Sequence, residues 1–214
     1  MTDNIISQNE FIEYPASKSS ISKRKLVFGE GINDAKYTLK PTINDKRLSC
    51  PFYKVWHNML QRCYHKKYHE KSPTYKGCTV AKEWLLFSNF KVWMMTQDYK
   101  NKDLDKDIIN PNNKIYSPDN CCFISHKLNS LLLDHKARRG KYPQGVTWHN
   151  ARKKFTARCN VDGKGVHLGL YKSISEALKV YNKFKSDLVI KIAHEQTDIR
   201  VKNGLLKHAE IIAN

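Results

Sequence analysis

A chain of 214 residues, 40% of them hydrophobic, with a formal net charge of +18, has enough apolar material for real cores and is not a disordered basic tail. A positive excess of this size favours a polyanionic partner, because each Lys or Arg placed on a phosphate releases condensed counterions. No apolar run approaches the roughly 18 residues that span a bilayer. Residues 1–25 lack the apolar stretch of a secretion signal, and the six cysteines read as reduced thiols, so a cytoplasmic protein without a membrane partner is expected.

Residues 1–48 have scattered hydrophobics and no sustained period, which predicts a weakly ordered segment. A globular segment, 49–135, follows. Ser49 and Pro51 mark a helix start, and Phe52, Val55, Trp56, Met59, Leu60 and Cys63 recur at helical spacing. A lysine- and histidine-rich loop from Tyr64 to Gly77 ends in a short strand at Cys78–Ala81, and His57, His65 and His69 fall in the helix end and this loop. For these histidines, phosphate contact or solvation is a better reading than metal binding. A second helix is predicted over Lys82–Thr96, with Trp84, Phe87, Phe90, Trp93 and Met94 forming a core stripe. Strands are then expected at Leu104–Ile108 and Lys114–Tyr116 around an Asn/Pro turn, followed by a brief extension at Cys122–Ile124 and a helix over Ser125–His135.

Residues 136–143 form a basic linker, and the next domain is expected over 144–195. Three short strands precede a helix over Ser173–Ala193, whose start carries a capping box, Ser173 with Glu176. The strands alternate an inward set (Val146, Phe155, Ala157, Cys159, Val161, Val166, Leu168) with an outward, basic set (Arg152, Lys154, Arg158, Lys164, His167). A last helix is expected within 196–214, over Asp198–Ile212. The predicted class is therefore α+β, with an N-terminal helical region, a ββα unit, and a three-stranded antiparallel sheet packed on one helix.

The run Gly145-Val146, Phe155-Thr156-Ala157-Arg158, Leu168-Gly169-Leu170-Tyr171 and Ser175-Glu176-Ala177 to Val180-Tyr181 resembles the Apetala/ethylene-response-factor DNA-binding domain, in the form carried by phages and mobile elements. The resemblance implies a sheet laid in the DNA major groove and braced by the helix. It assigns DNA contact to Thr147, His149, Arg152, Lys154, Thr156, Arg158, Lys164 and His167. Arginine suits guanine edges and lysine suits phosphates. Phe155 and His167 stand where the family usually has tryptophan, so sequence preference does not carry over.

Asp105-Lys106, Asp119-Asn120 after Ser117-Pro118, and Asn129 in His126-Lys127-Leu128-Asn129, set within Ser49–Leu133, give this stretch a pattern that resembles the H-N-H nucleases, most closely phage members of homing-endonuclease type. The resemblance implies a hydrolase that cuts double-stranded DNA with Mg²⁺ or Mn²⁺ held by Asp105 and Asn129, which offer hard oxygen donors. Asp105, Lys106, Asp107, Asn120 and His126 would form the catalytic set. Lys106 occupies the place of the histidine base. A protonated lysine cannot accept a proton, and its pKa would have to fall about three units from 10.4 to do so. Lys106 would then hold phosphate while Asp107 or His126 supplies the base. The alternative is a catalytically inactive DNA-binding regulator or accessory factor with a degenerate H-N-H unit. A structural Zn²⁺ on Cys63, Cys78, Cys121 and Cys122 is the weaker reading against buried thiols, since no Cys-x-x-Cys pair exists.

Overall fold

The computed structural model describes residues 11–133 and 140–214, and the chain is α+β. In order, the elements are α1 (Lys18–Ser22), β1 (Thr42–Ile43), β2 (Lys46–Arg47), α2 (Pro51–Tyr64), α3 (Lys66–Lys71), β3 (Thr79–Val80), α4 (Phe87–Met95), β4 (Lys102–Asp105), β5 (Ile115–Tyr116), β6 (Cys122–Ser125), α5 (His126–Leu132), β7 (Val146–His149), β8 (Lys154–Val161), β9 (Lys164–Tyr171), α6 (Ile174–His194) and α7 (Ile199–Ala213). Short 3₁₀ turns lie at Pro73–Tyr75 and Lys82–Leu85. No helix among the described residues is long and apolar enough to cross a membrane.

The chain forms two compact units, residues 1–99 with 114–119, and residues 100–113 with 120–214. The expected 49–135 segment is thus divided between them. Half of the expected linker, 136–139, lies outside the described residues.

In the first unit, α2 starts with proline where no helical N–H is needed, and it buries Trp56, Met59, Leu60 and Cys63 along one stripe. The expected Lys82–Thr96 helix is broken at Leu86, which is extended. Tertiary bonding explains the break: the Ile32 amide donates to Leu85 O, and the Phe87 amide donates to Ile32 O. The indole of Trp56 donates to Trp84 O at 2.7 Å, fixing the same corner. Residues 11–48 carry little regular structure, yet they are tied down. The Arg24 guanidinium donates to the carbonyls of Asn33, Ala35 and Tyr37, and the side chains of Ala35 and Tyr37 are buried. β3 and β5 pair in parallel, with Thr79 opposite Ile115 and Val80 opposite Tyr116.

The second unit has two cores that meet on α6. At one end, β7–β8–β9 form an antiparallel sheet over Val146, Ala157 and Ala177. At the other, β4 and β6 pair antiparallel and pack with α5, α6 and α7 through Ile108, Ile124, Leu128, Val189, Ala193 and Leu205. The ββα hairpin is therefore β4 with β6. The expected partner strand, Ile115–Tyr116, pairs with β3 in the first unit instead. β4 also stops at Asp105 and does not run on to Ile108, because the Asp105 side chain accepts from the amides of Asp107 and Ile108 and turns the chain. α5 is capped by Ser125, α6 by the expected Ser173–Glu176 box, and α7 by Asp198.

Candidate nucleic-acid interface and hairpin–helix site

Strand pairing fixes which residues of the sheet share a face. Thr147 is opposite Thr156, His149 opposite Lys154, and Arg158 opposite His167, so these six form one outward row. Val146, Phe155, Ala157 and Cys159 project to the other side, toward α6. A bulge between Ala157 and Arg158 absorbs Leu168 and keeps His167 outward and Gly169 inward. Arg152 lies in the β7–β8 turn, where its amide is 3.3 Å from the His149 ring. Lys164 departs from expectation. It pairs with Val161 at the hairpin end, and that register position lies off the outward row.

Two further residues, Asn160 and Leu170, fall on the outward face by register. Gly165 adds a feature that composition does not advertise. A Cβ there would lie 2.1 Å from Arg158 Nε, so the guanidinium rests across the glycine, on the sheet surface. An arginine laid on its own sheet loses fewer rotamers when it engages a ligand than one in free solution. Between Val146 and Tyr171 the sole acid is Asp162, and it is paired with Lys127 at 2.7 Å. The outward face thus carries Lys154 and Arg158 among neutral residues and no acid from these strands.

The bracing below is specific. Gly145 has φ +77°, and a Cβ on it would lie 2.1 Å from the ring of Tyr181 on α6. This close approach accounts for the Gly145 and Tyr181 of the sequence motif. Lys185 of α6 is buried under the sheet, and burial pulls its ammonium below the ordinary lysine range.

At the hairpin–helix end, the residues expected to be catalytic are largely engaged in holding their own loop. One carboxylate oxygen of Asp105 accepts from the amides of Asp107 and Ile108 at 2.8 and 2.7 Å. Burial pushes the Asp105 carboxyl up, against the pull of those amides. Lys106 is only 5% exposed and donates to Asp107 Oδ1 at 2.6 Å and to Asn113 O at 2.8 Å. Asn113 returns a bond to Lys106 O. Asn120 accepts from the Asn110 amide at 2.9 Å. Asp107 O lies 3.0 Å from His208 Nε2 of α7.

His126 and Asn129 are placed differently. Both meet Asp103, a residue without any expected role. His126 Nδ1 is 2.9 Å from Asp103 Oδ2, and Asn129 Nδ2 donates to the same oxygen at 3.3 Å. The signal in the sequence was available: Asp103 precedes Asp105 by two, so both share a strand face, and His126 and Asn129 are one helical turn apart. Asp105 and Asn129 carry the oxygen donors that Mg²⁺ takes, but their bonds lead apart, Asp105 to its loop amides and Asn129 to Asp103. The cysteines at positions 50, 63, 78, 121, 122 and 159 are all buried as thiols. Burial and then the Asp105 carboxylate push the Cys122 thiol up to about 12. Among the described residues, no group of three or more His, Cys, Asp or Glu side chains is arranged to hold a metal ion.

Comparison with protein-family models, with curated proteins and with solved structures finds no match for this chain.

Proposed function

We propose that this chain binds double-stranded DNA through the outward face of the β7–β8–β9 sheet, as the targeting half of a phage-type, homing-endonuclease-like nuclease that hydrolyses phosphodiester bonds. The observation that carries the reading is the row Thr147, His149, Lys154, Thr156, Arg158 and His167 on one face, with Asp162, the sole acid of residues 146–171, paired to Lys127. Lys154 and the turn residue Arg152 suit phosphates, and Arg158, laid across Gly165, suits a base edge. A divalent cation, where bound, would neutralise charge on the phosphate and on the leaving oxygen. Asp105 and Asn129 are of the right donor chemistry to take it.

The test is DNA affinity. Arg158→Ala and Lys154→Ala should each weaken binding by about 1–3 kcal/mol, and loss of a phosphate contact should lower the salt slope by about one. Equal affinity in both variants and in wild type would remove the sheet from the interface.

A second reading, a DNA-binding regulator that cuts nothing, is favoured by one specific observation. Asp105 and Lys106, which occupy the positions of the H-N-H acid and base, serve as internal braces of the 106–113 loop. Wild-type protein that binds a duplex but fails to nick plasmid DNA with Mg²⁺ or Mn²⁺ would establish this reading over the first.

A further inference from the structure

Asp103, His126 and Asn129 are brought together by the hairpin itself. Asp103 pairs with Ile124 in the β4–β6 ladder, two residues before His126 opens α5. The helix start therefore passes directly over the carboxylate. His126 Nδ1 and Asn129 Nδ2 both reach Asp103 Oδ2, at 2.9 and 3.3 Å. A carboxylate at Nδ1 holds the ring proton on that nitrogen and leaves the lone pair on Nε2. The imidazole is 85% exposed and Asp103 is 41% exposed, so Nε2 opens to solvent, where a duplex and a water can reach it.

Position relative to the sheet is also constrained. Lys127, the residue after His126, pairs with Asp162 in the β8–β9 turn. α6 packs against both ends of the unit, through Ala177 at the sheet and Val189 and Ala193 at the hairpin. The His126 ring is thus carried next to the edge of the basic sheet.

We propose that His126, held in orientation by Asp103 and Asn129, is the general base for phosphodiester hydrolysis in this chain. The proposal rests on the nuclease reading above and selects His126, at the start of α5, over Asp107 as its base. His126 Nε2 removes one proton from a water. The water oxygen forms the new P–O bond, one existing P–O ester bond breaks, and the departing sugar oxygen takes a proton from solvent. The products are a phosphomonoester end and a hydroxyl end, and the imidazolium returns its proton to solvent. Lys106 is unsuited to the role of base, since it is buried, donates two hydrogen bonds, and has no acceptor while protonated. Asp103 and Asn129 are positioning residues here.

The experiment measures nicking of supercoiled plasmid by the full chain with MgCl₂ or MnCl₂, alongside duplex affinity. His126→Ala should slow nicking by on the order of 100-fold or more at unchanged affinity, and added imidazole should restore part of the rate. Asp103→Asn should slow nicking at unchanged affinity, with Asp103→Glu recovering part of it. His126→Gln serves if the alanine variant fails to fold. His126→Ala that nicks as wild type, or a folded variant that loses nicking without imidazole rescue, overturns the assignment while leaving the nuclease reading in place. Wild type that nicks with neither metal, whether or not it binds the duplex, overturns both.

Discussion

The two ends of α6 support two different kinds of architecture. The first half lies under three strands whose side chains alternate, so that apolar residues go to the helix and the polar row Thr147 to His167 is left on the outward face. The second half lies against a short hairpin, a seven-residue helix and α7, and there polar side chains turn inward. Asp105 caps two amides, Lys106 and Asn113 exchange bonds, and Asn110 bonds Asn120. Regular secondary structure satisfies its backbone internally and frees its side chains for a ligand. An irregular loop spends its side chains on its own backbone groups. A polar residue in a long strand and one in an irregular loop therefore carry different prior weight as functional candidates.

The sharpest way to break this contrast is at Gly204. It sits inside α7, where Gly→Ala ordinarily stabilises a helix by up to about 1 kcal/mol. Here a Cβ would lie 2.0 Å from the backbone oxygen of Ile108, so Gly204→Ala should destabilise the second unit by about 3 kcal/mol. Denaturant unfolding gives the magnitude. Hydrogen exchange should show the loss of protection first in β4 and β6, and loss that begins in β8 would place the contrast elsewhere.

Asp105 gives the next largest effect. Asp105→Ala leaves the amides of Asp107 and Ile108 without their acceptor and should cost about 2 kcal/mol. Asp105→Asn keeps an acceptor oxygen and removes a buried charge, so it should match or exceed wild-type stability at neutral pH. The sign follows from the raised carboxyl. A folded-state value above the ordinary one contributes stability that is present in acid and lost as pH rises through the raised value. Wild type should lose that contribution across the window and the asparagine variant should not, as read by melting at pH 4 to 7.

The contrast predicts its opposite under the sheet. Lys185 is buried with a depressed ammonium, so its favourable contribution exists above the ordinary lysine range and is lost as pH falls through the depressed value. Lys185→Met should therefore be more stable than wild type at pH 7, by on the order of 1 kcal/mol, with the difference shrinking toward pH 10. A destabilised methionine variant at neutral pH would mean that the ammonium is useful where it stands.

Legibility in the sequence follows the same division. The alternation of β7 to β9, the capping box at Ser173, the last helix and the apolar stripe of α2 were all readable, because each depends on residues close in the chain. Strand partnership at 104–124 was not readable. Ile115–Tyr116 looks like the neighbour of β4 by proximity, and only the three-dimensional arrangement gives it to β3. The break at Leu86 is hidden for the same reason, since it is made by Ile32, more than fifty residues earlier. Of the site residues, Arg158, Lys154, His149 and His167 face outward as read, and Lys164 does not. Asp105, Lys106 and Asn120 were legible as polar residues, but the bonds that engage them, to loop amides, to Asp107 and Asn113, and to Asn110, were not. The pairing of Asp103 is hidden in the sequence because its partners lie twenty-three and twenty-six residues away.

The six buried thiols have a practical consequence. Cys50, Cys63 and Cys78 lie in the first unit, and Cys121, Cys122 and Cys159 in the second. Under native conditions a thiol reagent can reach any of them only when the surrounding structure opens, so the chain carries three internal clocks in each unit. Peptide-resolved labelling would time the opening of the two units separately, in one sample. A single cysteine introduced on the outward face of the sheet would react in seconds against that slow background, which makes it a clean handle for a spin label or fluorophore.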